Sequence, residues 1–175
     1  MSQVLLHEVQ IKNFRSCRDL TLDLSRFTAL VGYNNAGKSN CLTAIQWLLR
    51  KKAAQEEDFF DKEKGIEVLG LLSGIDGYHL DLLAESHKKS IEKYLSEDGQ
   101  LKIKRSQSVP NCKASDIKLD VWDWEKEEWS RNPTGIDNAL SALMPEPIRI
   151  GAMEDAAEDV TKHKNTTTIG KLLNI

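Results

Sequence analysis

Two early stretches of the chain alternate apolar and polar positions. Val9 and Ile11 lie on one face of residues 4–14, with polar side chains between them, and residues 20–24 repeat the pattern as LTLDL. A period of two is typical of a strand with one buried face. We therefore predict a first strand over residues 4–14, a turn over residues 15–19 and a second strand over residues 20–24.

The next apolar run is nearly continuous. Residues 27–31 read FTALV and lead into a glycine-containing segment. After that segment, apolar residues recur at helical spacing, at Leu42, Ile45, Leu48 and Leu49. A continuous apolar run is typical of a parallel strand covered on both faces, and a spacing of three and four predicts an amphipathic helix. The pattern thus predicts a central strand, a loop and a helix in succession.

The spacing of apolar residues also predicts the secondary structure of the rest of the chain. We interpret residues 51–64, which are dense in charge, as a surface loop. The further predicted elements are a strand at 66–72, a helix at 78–95, a strand at 101–106, a hairpin within 117–129, a short helix at 133–143 and a core strand at 147–152. Alternating strands and helices indicate an α/β fold.

The glycine-containing segment is a complete phosphate-binding loop. Gly32 is followed, after four residues, by Gly37, Lys38 and Ser39. Glycines let the backbone approach a triphosphate, the Lys38 ammonium reaches the β- and γ-phosphates, and the Ser39 hydroxyl is a ligand for Mg²⁺. The nucleotide-binding residues predicted in this loop are Gly32, Asn34, Asn35, Ala36, Gly37, Lys38, Ser39 and Asn40.

Composition narrows the class of protein. A chain of 175 residues with net charge −3 and 40% hydrophobic residues is long enough for one globular domain, alone or with an appendage. It contains no apolar run of the roughly 20 residues that span a bilayer, and no signal-peptide core, so we predict a cytoplasmic location without membrane contact. Its cysteines, Cys17, Cys41 and Cys112, are odd in number and dispersed, which favours reduced thiols.

Three other groups of residues have more than one interpretation. The basic residues Lys102, Lys104 and Arg105 either meet a phosphate backbone or protect a strand edge, and the second is the commoner use. The tryptophans Trp122, Trp124 and Trp129 either stack on bases or pack across strands. Acidic residues in 51–64 and 154–159 fit a solvated face better than a metal site.

The segment around the loop resembles a known family. Asn13-Phe14-Arg15 ends the first strand, and a G-x-N-x-x-G-K-S-N loop runs from Gly32 to Asn40. These motifs resemble those of RecF/SMC-class ATPases of the ABC superfamily, and within that class those of the OLD (overcoming lysogenization defect) family of ATP-dependent endonucleases. The resemblance implies a P-loop NTPase with a mixed sheet and an antiparallel β-layer. It also implies that ATP and Mg²⁺ bind, that Arg15 lies near the nucleotide, that two lobes sandwich ATP in a homodimer or higher oligomer, and that DNA is the partner.

Parts of the ABC pattern are missing from these residues. We find no apolar strand ending in Asp-Glu, no signature helix and no C-terminal acidic nuclease site. We therefore expect residues 1–175 to be the N-terminal, incomplete part of an ABC-type ATPase domain that turns ATP over poorly alone. The alternatives are a RecF/SMC-like DNA-organising ATPase without nuclease activity and an independent small P-loop kinase. The absence of an Asn-Lys-x-Asp motif disfavours a GTPase.

Overall fold

The computed structural model describes residues 3–148, which form a β-sheet with helices on it. The strands are β1 (Leu5–Phe14), β2 (Cys17–Asp23), β3 (Ile66–Ser73), β4 (Leu101–Gln107), β5 (Lys118–Asp123) and β6 (Glu128–Ser130). The helices are α1 (Lys38–Leu49), α2 (Gly77–Asp81), α3 (Glu85–Glu92) and α4 (Ile136–Leu143), and 3-10 turns cover Glu56–Asp58 and Ala114–Asp116. The predicted α/β class is confirmed.

The six strands form one sheet in the order β2-β1-β3-β4-β5-β6, and every pairing among them is antiparallel. Alternate side chains on its inner face are fully buried, because strand geometry directs every second residue to the same side. They include Val9, Ile11, Val68, Leu72, Ile103, Leu119 and Val121. The antiparallel β-layer expected from the two early strands is therefore present.

Helix α1 packs on this inner face at a very short distance from β3. A Cβ atom at Gly70 would lie 2.6 Å from Cδ2 of Leu48, so only a glycine admits the helix there. Ala44 and Leu48 of α1 are fully buried as a result. The contact fixes α1 against the sheet, and with it the loop that opens the helix.

Most predicted elements are confirmed, with two adjustments. Strand β2 begins at Cys17, so the turn after β1 is shorter than predicted; Arg15 adopts a positive φ of 49° in it. The single helix predicted over 78–95 is wrong, since α2 and α3 are separated at Ala84, whose backbone is extended. Leu80 and Ile91 are nevertheless both buried, because the broken helix keeps the apolar spacing on one side.

Strand β4 corrects the interpretation of its basic residues. It lies between β3 and β5, so its lysines do not protect an edge. Arg105 is fully buried on the inner face, where its Nε donates to the Leu48 carbonyl (2.9 Å) and its Nη2 to Asp137 Oδ1 (2.5 Å). It therefore ties β4 to α1 and α4 and is not available to a phosphate backbone.

The hairpin tryptophans confirm the packing interpretation. Trp122 on β5 is paired with Trp129 on β6, and their ring centroids lie 5.4 Å apart in an edge-to-face arrangement. The Lys102 and Lys104 ammonium groups lie over the Trp129 ring, at 5.7 and 4.7 Å from its centroid. Lysines and tryptophans on the outer face of the sheet therefore engage one another.

The central parallel strand predicted over residues 27–31 is wrong for the described structure. Phe27 is 85% exposed and Val31 is 93% exposed, and the segment is not in a strand. A local turn precedes it, in which the Ser25 amide donates to Thr28 Oγ1 (3.0 Å). The turn leads the chain away from β2, and within residues 3–148 no strand lies beside the segment to supply backbone partners.

Other predictions fall largely outside the described residues. The core strand at 147–152 lies mostly beyond residue 148, and the acidic residues of 154–159 lie entirely beyond it. No helix within residues 3–148 has the length and apolar character that crossing a membrane requires.

Candidate functional site

The phosphate loop owes its shape to one glycine. Gly37 has φ 91° and ψ 2°, a left-handed conformation that costs other residues roughly 1–2 kcal/mol. A Cβ atom there would also lie 2.8 Å from the Ser16 hydroxyl oxygen. Position 37 therefore favours glycine, chiefly because of its left-handed backbone and secondly because of the nearby Ser16 side chain.

The first turn of α1 is open to an anion. The helix begins at Lys38, no side chain caps its N-terminus, and no acidic residue lies in its first turn. The first N–H groups of a helix have no acceptor inside it, and they carry the positive end of the helix dipole. A phosphate group fits this arrangement, since it supplies both the acceptors and the negative charge.

The Lys38 side chain spans the loop. Its Nζ donates to the carbonyl oxygens of Gly32 (2.7 Å) and Tyr33 (2.8 Å). These are neutral acceptors, so an incoming phosphate oxygen offers the ammonium a stronger partner in the same region. Gly32 thus takes part in the site through its carbonyl group as well as through the absence of a side chain.

An open cavity of about 600 Å³ lies over the loop. It is lined by Asn34, Asn35, Ala36, Gly37, Lys38, Ser39 and Asn40. The fold therefore brings together all the residues predicted in this part of the loop. Ser39 is exposed, and its backbone carbonyl accepts from Thr43 Oγ1 (2.8 Å).

Arg15 lies elsewhere in the described structure. Its Nε donates to Asp58 Oδ1 (2.7 Å), and its backbone N–H donates to the Asp58 carbonyl (2.7 Å). It lines a second cavity of about 280 Å³, together with Trp47 of α1 and Arg50, which follows the helix. It does not line the cavity over the phosphate loop, and its predicted contact with the nucleotide stays a prediction.

Asn13, one residue before Phe14, has a structural role. Its side-chain nitrogen donates to the carbonyls of Asp61 (2.9 Å), Lys64 (2.7 Å) and Gly65 (3.2 Å), while its Oδ1 accepts from the Asp61 amide (2.8 Å). Asn13 is itself buried and has φ 58°, a left-handed conformation that asparagine tolerates. It therefore fixes the charged loop after α1 to the end of β1.

Sequence reasoning missed Ser16. Its hydroxyl accepts a hydrogen bond from Asn40 Nδ2 (2.8 Å), in the first turn of α1. This bond joins the β1–β2 turn to the start of α1, directly after the phosphate loop. No spacing signal relates residues 16 and 40, since their proximity arises only when α1 packs on the sheet.

The carboxylates of the described chain do not form a metal centre. Within residues 3–148 no three His, Cys, Asp or Glu side chains come together in a metal-binding group. A Mg²⁺ ion at the loop fits a different chemistry, in which Ser39 supplies one oxygen and phosphates and water supply the others.

Comparisons with known proteins show the family to which the chain belongs. Residues 5–144 match the family model of an AAA ATPase domain. The Old nuclease of Escherichia phage P2 is 47% identical over 173 residues, which is 98% of this chain and 29% of that protein. The OLD nuclease of Thermus scotoductus is 38% identical over 72 residues, covering 37% of this chain and 14% of the relative. The chain therefore spans less than a third of the length of these relatives.

Two further similarities are more remote. The chromosome partition protein Smc of Methanocaldococcus jannaschii is 44% identical over 54 residues, 30% of this chain and 5% of that protein. The solved structure of the recombination mediator protein RecF with ATP aligns with a TM-score of 0.47 at 23% identity, covering 69% of this chain and 28% of RecF.

Proposed function

Because this chain belongs to the AAA ATPase domain family, as an ATPase segment of the OLD type, we propose that it binds ATP with Mg²⁺ for an ATP-dependent nuclease acting on DNA. One observation carries the nucleotide part of this proposal. The Lys38 ammonium and the uncapped start of α1 both border the cavity over the loop. Both are positive, and within residues 3–148 neither has a carboxylate partner that a phosphate would have to displace.

The chain's own residues account for nucleotide binding. The β- and γ-phosphates accept from the loop N–H groups, and Lys38 exchanges the carbonyls of Gly32 and Tyr33 for phosphate oxygens. Bound Mg²⁺ screens the charge of the phosphates, and Ser39 is the residue of this chain that would hold it. The Gly37 conformation keeps the N–H groups directed at the phosphates before the nucleotide arrives.

Hydrolysis requires more than the described residues provide. A carboxylate must orient the attacking water, and none lines the cavity over the loop. We propose that this carboxylate and the DNA-cutting site come from other parts of the complete protein, since the phage relative is more than three times as long. A second ATPase lobe that completes the site in a dimer belongs to the same proposal.

The Smc similarity favours one alternative, a DNA-organising ATPase without nuclease activity. The two functions share the phosphate loop and differ in the remainder of the protein. Metal-dependent DNA cleavage by the complete protein distinguishes them, since only the nuclease cuts. The family match over residues 5–144 goes against the independent small kinase.

The nucleotide site is tested by titrating Lys38→Ala with ATP in the presence of Mg²⁺. Loss of a charge-assisted hydrogen bond to phosphate should weaken binding about tenfold to a hundredfold. Lys89→Ala, which removes an exposed lysine from α3, is the matched control and should bind like the wild type. Equal affinity in the wild type and Lys38→Ala would refute the site.

A further inference from the structure

Two cysteines lie directly behind the phosphate loop. Cys17 is the first residue of β2 and Cys41 lies in the first turn of α1, and their sulfur atoms are 3.8 Å apart. Each is only 6% exposed, within the apolar core. A disulfide has an S–S distance of about 2.05 Å, so the sulfurs must approach by roughly 1.8 Å to bond. A small movement of the turn or the helix is enough.

Both thiols are free in the structure. Burial, followed by the neighbouring Cys41, raises the pKa of Cys17 from 9.0 to about 11. This thiol is therefore protonated at neutral pH, and protonated thiols react slowly. Low exposure also excludes bulky reagents, so the reaction requires a small oxidant.

The pair adjoins both contacts between the turn and the loop. Ser16 precedes Cys17 and Asn40 precedes Cys41, and the Asn40 side chain donates to the Ser16 hydroxyl (2.8 Å). A Cβ atom added at Gly37 would lie 2.8 Å from the same hydroxyl oxygen, so the turn and the loop are adjacent at this point. A bond between the two sulfurs would change the positions of the residues beside them, Ser16 and Asn40, and with them the position of the turn relative to the start of α1.

We propose that Cys17 and Cys41 are a regulatory modification site, at which a peroxide closes a disulfide that weakens ATP binding at the phosphate loop. The regulatory part rests on the proposed function. One thiolate attacks the O–O bond of hydrogen peroxide, which gives a sulfenic acid and hydroxide, and the second thiol displaces water from the sulfenic sulfur. Each sulfur loses one electron, the peroxide gains two, and two water molecules are formed in total.

The consequence for the nucleotide follows from the loop geometry. Phosphate binding depends on N–H groups and Lys38 held in fixed positions around Gly37. A shift of Ser16 against Gly37 displaces these groups from the phosphates. We expect the affinity for ATP to fall about fivefold or more in the oxidised protein, and dithiothreitol to restore it.

The experiment compares the protein before and after hydrogen peroxide by peptide mapping and by ATP titration. Wild type and Cys112→Ser should both form the Cys17–Cys41 link and lose ATP affinity, because Cys112 lies outside the pair. Cys17→Ser and Cys41→Ser should form no link and keep their affinity under the same treatment. Two single variants are used so that a folding defect in one does not decide the result.

The outcomes separate the two proposals. Failure of the link to form in wild type under conditions that oxidise Cys112 would overturn the site. A complete link without loss of ATP affinity would overturn the regulation. A reduced protein that does not bind ATP would contradict the proposed function and its regulation, whereas the mapped link would still decide whether the two thiols bond.

Discussion

The antiparallel sheet and the segment leading into the phosphate loop are both rich in apolar residues, yet they have opposite exposure. Val68 and Ile103 in the sheet are fully buried, whereas Phe27 and Val31 before the loop are 85% and 93% exposed. The difference lies in the neighbours. Each sheet strand has a partner nearby in space within residues 3–148, and residues 27–31 have none there. Apolar pattern thus predicts burial only where backbone partners exist.

The contrast has a functional meaning. The sheet with α1 is a packed support, and it holds the start of α1 through Leu48 and Gly70. The loop itself is open, with Lys38 bonded to backbone carbonyls across it. The nucleotide site therefore consists of a rigid helix end and an exposed entrance. In the complete protein we expect the strand predicted at 27–31 to gain neighbours.

The largest expected effect is a difference in the free energy of unfolding between two truncations, one in the packed sheet and helix and one in the exposed segment before the loop. Leu48→Ala removes a fully buried side chain between α1 and β3, and should lower the free energy of unfolding by about 3 kcal/mol. Phe27→Ala, its counterpart in the exposed segment, should change it by less than about 0.5 kcal/mol. Urea unfolding followed by tryptophan fluorescence measures both. A comparable loss in Phe27→Ala would show that the segment is packed in solution, contrary to this account.

A smaller effect is expected on ATP affinity when Gly37 is replaced. Gly37→Ala forces a side chain into a left-handed position against Ser16, and should weaken ATP binding about tenfold through about 1–2 kcal/mol of strain. Gly77→Ala is the matched control, since a Cβ atom at Gly77 meets nothing within 4 Å. Titration with ATP measures both variants. The proposed role of Gly37 fails if the two variants bind ATP equally well.

The sequence was most informative where chemistry is local. The eight residues from Gly32 to Ser39 predicted the loop, and the structure places the residues from Asn34 to Asn40 around one cavity. Alternation of apolar and polar residues predicted the strands, because successive side chains of a strand point to opposite faces whichever strands lie beside it. The start of α1 has no side-chain cap, and this feature too depends only on residues that are close together in the sequence.

Features set by distant packing were not predictable. The burial of Arg105 depends on Asp137 and the Leu48 carbonyl, which lie far away in the sequence. The contact of Ser16 with Asn40 and the proximity of the two buried sulfurs depend on how α1 lies on the sheet. Periodicity reports which face of an element is apolar, and it carries no information on which other element covers that face.

The central claim is that a preformed loop on a helix end binds ATP, while the segment before it, residues 27–31, has no strand beside it within residues 3–148. Amide hydrogen exchange with and without ATP and Mg²⁺ tests it most directly. We predict slow exchange in β1, β3 and β4 throughout, fast exchange over residues 27–33 in the free protein, and ATP-dependent slowing at residues 34–41. Slow exchange over 27–33 in the free protein, or no change at 34–41 on adding saturating ATP, would contradict the account.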